Sequence, residues 1–130
     1  MRLFACTFLL TFLSLPAFAG ESKPLTQEEN DALIYLRSVS SEPMKWMCQP
    51  VTKSMPDFEE RFSTWKAQNQ EAIDRGRQAR IARLKEGETI EQYETGTQES
   101  LKALLAKTPS ERIMFQCLGF IASTAPKKAE

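Results

Sequence analysis

The sequence predicts an all-helical fold, a small up-and-down bundle of four to five helices closed by one disulfide. Three observations predict it. Glycine is scarce, with five in 130 residues, and runs of β-branched residues are absent. Apolar residues recur at three- and four-residue intervals, the spacing of one helix face. Only two cysteines, Cys48 and Cys117, lie beyond the apolar N-terminal segment.

That segment, Met1 to Ala19, has the form of an export signal. Arg2 is a short positive region, Leu3 to Leu15 is almost wholly apolar, and Pro16 ends the run. Ala17-Phe18-Ala19 fits the small-x-small rule for signal peptidase, with cleavage expected between Ala19 and Gly20. The run is shorter than the ~20 residues that span a bilayer. Cys6 precedes the body of the apolar run and is expected to leave with it. Cleavage leaves 111 residues, one domain's worth, with 16 basic and 17 acidic side chains and a net charge of −1. This balance gives no whole-molecule attraction to nucleic acid or anionic lipid. Neither Asn30 nor Asn69 lies in a glycosylation sequon. The expected location is therefore the bacterial periplasm, or the medium, without a stable membrane anchor.

An oxidising compartment and an even cysteine count favour a Cys48–Cys117 disulfide. Two thiolates alone rarely hold zinc, and the chain has no histidine to complete a ligand set. No metal or other cofactor is expected.

Residues 20–25 form a polar leader, 26–123 a single helical domain and 124–130 a disordered tail. The first helix starts at Thr26, where Thr26 and Glu29 have capping-box spacing. Ala32, Leu33, Leu36 and Val39 supply its core face, and Ser38, Ser40 and Ser41 are expected to end it. A short second helix covers about Glu42 to Gln49, with Met44, Trp46, Met47 and Cys48, and Pro50 stops it. The third helix starts near Pro56 and Asp57 and runs to about Glu86, with Gly87 terminating it. The fourth starts near Thr89, with Gln92 in the capping-box position and Ile90, Tyr93, Thr97, Leu101, Leu104 and Leu105 along one side. The last has Thr108 as cap, Pro109 at the first turn and Glu111 as the third residue. Ile113, Met114, Cys117, Leu118 and Ile121 form its apolar side. The disulfide would clamp the short second helix to this last one.

The long helix departs from a plain core helix. Phe58, Phe62, Trp65, Asn69, Ala72, Ile73 and Gly76 share one stripe. Two turns further the stripe meets Arg80 and Arg83, flanked by Arg75 and Arg77. Either the helix outruns its core and the arginines pair with Glu88, Glu91 or Glu94, or Arg75, Arg77, Arg80 and Arg83 present a cationic surface to an acidic partner. Gly76 could mark a kink, and the small residues Ala72, Gly76 and Ala79 would let another helix cross closely. Asn69 reads as a satisfied amide that fixes packing register. Trp46 and Trp65 read as core residues, as do the methionines.

Without histidine the chain can build no Ser-His-Asp or Cys-His nucleophile and no histidine general base. It has no phosphate-cradling loop and no dinucleotide fingerprint. An enzyme is not expected. The leading expectation is an exported protein-binding module, an inhibitor or immunity protein; the alternative is a periplasmic stress chaperone or a structural envelope protein.

The segment Phe115-Gln116-Cys117-Leu118-Gly119-Phe120-Ile121 resembles part of the periplasmic immunity proteins that neutralise type VI secretion amidase effectors. Those proteins carry a cysteine followed closely by glycine, an aromatic residue and isoleucine on a helix of a disulfide-bonded, all-helical domain. The resemblance covers seven residues, and this chain ends sooner after them than family members do. It implies stoichiometric binding to a toxic periplasmic enzyme, often as a dimer, and assigns no binding residues here.

Overall fold

A computed structural model describes residues 23–128. The expected signal and most of the expected leader lie outside the described residues. Six helices follow in order: α1 (Gln27–Met47), α2 (Gln49–Thr52), α3 (Phe58–Gln68), α4 (Gln70–Ile81), α5 (Ile90–Ala106) and α6 (Ser110–Ser123). No strand occurs among the described residues. The all-helical, disulfide-bonded fold is as the sequence predicts, with several helix boundaries that differ, among them α2, which runs through Pro50.

α1 is one helix of 21 residues where two were expected. Its start is as predicted. The Thr26 hydroxyl accepts from the Glu29 amide at 3.2 Å, and the Glu29 carboxylate accepts from the Thr26 amide at 2.8 Å. The serines do not end it. Ser41 turns its hydroxyl back onto the Ser38 carbonyl at 2.6 Å, and the helix continues through Pro43 to Met47. Pro43 has no amide to give the Val39 carbonyl. The Gln98 side chain donates to that carbonyl instead, at 3.0 Å.

The long third helix is two helices. They divide at Asn69, whose backbone (φ −110°, ψ 8°) leaves the helical region. The Asn69 side-chain amide donates to the Trp65 carbonyl at 2.7 Å, so the residue caps the turn before it. The kink therefore falls at Asn69, not at Gly76. α4 also ends five residues before Glu86, and a turn leads to Gly87, the one described residue with positive φ (81°).

The last helix begins one residue later than expected. Pro109 occupies the cap position, and the Thr108 hydroxyl donates to the Leu104 carbonyl at the end of α5 (2.9 Å). The Thr89 capping box of α5 forms as predicted.

The core has two centres. Cys48, Phe58, Phe62, Trp65, Cys117 and Phe120 form the first, which joins the end of α1 to α3 and α6. Its rings lie 5.7–6.2 Å apart between centroids, within the range of favourable aromatic pairs. Tyr35, Val39, Ile73 and Ile90 form the second, which joins the middle of α1 to α4 and α5. Ile34 packs against both. α1 is thus the spine, and the α3–α4 stripe divides between the centres at Asn69.

The disulfide joins Cys48 and Cys117, with Cα atoms 5.4 Å apart and both side chains buried. Cys48 is the residue between α1 and α2, so the clamp holds the end of the spine to α6. Trp65 is a core residue as expected, but Trp46 is 70% exposed. The tail returns to the body. Thr124 is buried, and Lys127 exchanges two hydrogen bonds with the Gln68 side chain, at 2.9 and 3.2 Å. Its first residues are therefore held, against the expectation of a disordered tail; residues 129–130 lie outside the described chain.

Candidate functional site

α1 and α4 cross at closest approach where Gly76 meets Asp31 and Tyr35. A Cβ built on Gly76 would stand 2.4 Å from the Asp31 carbonyl oxygen and 2.6 Å from the Tyr35 Cβ. The small residues of α4 therefore serve the crossing that the sequence suggested. This crossing also fixes the four arginines.

Arg75 grips Asp31 with two hydrogen bonds, at 2.7 and 3.1 Å. The Asp31 side chain is almost wholly covered. The guanidinium hydrogen bond holds the Asp31 carboxyl below its usual pKa and raises that of Arg75 in turn. Arg77 donates to Glu94 at 2.9 Å and to Glu91 at 3.2 Å. Glu94 also accepts from the Tyr35 hydroxyl at 2.9 Å. Burial, and then the bond to Glu94, push the Tyr35 pKa upward. Arg83 pairs with Glu28 across the helix start. Arg80 alone among the four makes no ion pair among the described residues. Its guanidinium lies 4.6 Å from the centre of the Tyr93 ring.

The cationic surface read from the sequence is thus largely neutralised within the chain. Glu91 and Glu94 were legible as partners. Asp31 and Glu28 were not, because they lie on α1 and reach the arginines only through the crossing.

Beside this network runs an open groove of about 600 Å³ between the first turns of α1 and the last turns of α4. Leu25, Leu33 and Leu36 line one side, Ala79, Arg80 and Arg83 the other. The first helix was expected to bury Leu33 and Leu36, yet both remain substantially exposed.

A second unpartnered surface lies on α6. At about 100° per residue, Ile113, Cys117, Phe120 and Thr124 share the inward face. Phe115, Leu118, Gly119 and Ala122 share the opposite one, with Met114 at its edge. Phe115 is 77% exposed, and Met114 and Leu118 are half-exposed. The sequence placed Met114 and Leu118 on the core side. The helix is rotated so that Phe120 takes the core position. Nothing stands within 4 Å of a Cβ placed on Gly119. The charged side chains of α6, Glu111 and Arg112, are confined to its first turn.

No helix among the described residues is long and apolar enough to cross a membrane. Comparison with protein-family models, with curated proteins and with solved structures gives no match.

Proposed function

We propose that this chain is an exported, periplasmic protein-binding module of the inhibitor or immunity type, which receives its partner on the outer face of α6. The observation that carries the reading is that α6 is apolar on both faces. Beyond its first turn its polar side chains, Gln116 and Ser123, are confined to one strip, so an apolar face is left turned outward, and such a face is ordinarily covered. Here the outward side has no cover among the described residues. Phe115, Met114 and Leu118 leave on the order of 400 Å² of apolar surface there, the size of a monomer's largest patch (roughly 300–600 Å²), which is often a functional one.

Export is supported by the apolar N-terminal segment with its small-x-small site and by the Cys48–Cys117 bond, which suits an oxidising compartment. A binding role is supported by rigidity. The disulfide fastens the inward face of α6 to the spine, so little order would be lost on docking at the outward one. The four-arginine surface does not carry this reading, since Arg75, Arg77 and Arg83 already face carboxylates of their own chain.

The test is affinity capture from periplasmic extract with the oxidised mature chain, beside a Phe115→Glu/Leu118→Glu variant. One stoichiometric partner, lost in a variant that melts at the wild-type temperature, is expected. A partner retained by the variant removes α6 from the proposal. A broad set of unfolded clients replaces it with the chaperone reading.

A further inference from the structure

We infer that the groove between α1 and α4 is a binding site for a single-chain carboxylate amphiphile of the fatty-acid class. This inference is separate from the proposed docking face. The groove adjoins the second core centre, whereas α6 packs on the first.

The groove is lined by apolar side chains. Leu25, just before α1, and Leu33 and Leu36 on it stand exposed, and Ala79 of α4 lines the same groove. Leucines at positions 33 and 36 are one helical turn apart, so they present a continuous apolar wall along the helix axis. The volume of about 600 Å³ lies within the range of small-molecule sites, roughly 300–1,000 Å³.

All but one of the charged side chains around the groove are already paired. Two carboxylates line it, Glu28 and Glu29. Glu29 accepts from the Thr26 amide and hydroxyl, at 2.8 and 3.0 Å, and Glu28 is paired with Arg83. The Tyr35 hydroxyl donates to Glu94. The remaining charge is Arg80. Its guanidinium rests on the Tyr93 ring and makes no hydrogen bond or ion pair to another side chain among the described residues. The ring holds the cation at the groove while no acceptor side chain takes its N–H donors, which suits them to grip a carboxylate. A positioned cation at the border of an apolar trough matches an anionic head followed by an alkyl chain. A cationic amphiphile would meet Arg80 with like charge.

The probes are sodium decanoate and decyltrimethylammonium, each below micelle formation, titrated into the oxidised mature chain. Calorimetry gives the affinity, and amide NMR shifts give the location. Decanoate is expected to bind saturably, at least tenfold more tightly than decyltrimethylammonium, with shifts at Leu33, Leu36 and Ala79. Affinity should fall by up to about fourfold for each methylene removed that the groove had buried. Arg80→Gln should weaken decanoate binding tenfold or more and leave the melting temperature unchanged. Phe115→Glu, on α6, should leave decanoate binding unchanged. Absence of saturable binding overturns the inference. So do equal affinities for the two amphiphiles, an unaffected Arg80→Gln variant, or shifts centred on α6.

Discussion

Gln98 donates its side-chain amide to the Val39 carbonyl, the acceptor that Pro43 leaves without its usual partner four residues on. A residue of α5 thereby repairs a break in α1, 59 positions away in the chain. Truncating Gln98 to alanine should cost about 1–2 kcal/mol, the order expected for leaving a partly buried carbonyl unpaired. In a Pro43→Ala background the backbone amide returns and the same truncation should cost much less. Chemical unfolding of the four proteins gives the coupling directly, and a coupling near zero would show that Gln98 is not the replacement donor.

Gly76 admits no side chain at the α1–α4 crossing. Gly76→Ala forces a methyl group against the Asp31 main chain, which cannot rotate aside as a flexible side chain would. Helix propensity favours alanine by up to about 1 kcal/mol. The clash should outweigh it and leave a net loss of about 1–3 kcal/mol. A thermal midpoint lowered by several degrees checks this; a raised midpoint would mean that the helices separate freely.

Removing the disulfide by Cys48→Ala/Cys117→Ala opens a cross-link with a sequence separation of 69. In the chain-entropy account this costs about 4 kcal/mol. Urea unfolding of the double variant against the oxidised wild type should show the midpoint shift. Adding a reductant should then change the wild type and leave the variant where it is.

Asp31 ties stability to acid pH. The Arg75 hydrogen bond lowers its folded-state pKa beneath the ordinary carboxylate value of 3.8. A group shifted this way contributes fully above its unfolded pKa and loses its contribution as pH falls through the folded one. Asp31→Asn should therefore be less stable than wild type at neutral pH. The gap between their melting temperatures should narrow as pH falls below about 4. A gap that stays constant down to strongly acidic pH would show that the ion pair does not contribute.

What could be read from the sequence was local. The Thr26 and Thr89 caps announce themselves within four residues, and both form as written. The cysteine pair needed only a compartment and a count. What could not be read depended on residues distant in the chain. The serines and Pro43 suggest a break between two helices, but α1 runs through them, and the carbonyl that Pro43 leaves open is met by Gln98 from α5. Asn69 sits on an unbroken apolar stripe. The stripe conceals the division because Trp65 and Ile73 both face inward, each toward its own core centre. On α6 the apolar residues are too evenly distributed for periodicity to choose a face, so Met114 and Leu118 could not be told from Phe120. The arginine run is visible in the sequence as a pattern. Its closure by Asp31 and Glu28 required the crossing that Gly76 permits.

The Cys48–Cys117 bond makes residues 48 to 117 a covalent ring, and the exposed turn after α4, near Lys85 and Glu86, lies inside it. A protease that cuts this turn once produces two pieces that stay tethered, one carrying α1 to α4 and the other α5 and α6. The nicked molecule would migrate as a single species until reduced. It would keep Arg77 opposite Glu94 and Gln98 opposite Val39, so clipping at the turn would not by itself release the half that carries α6.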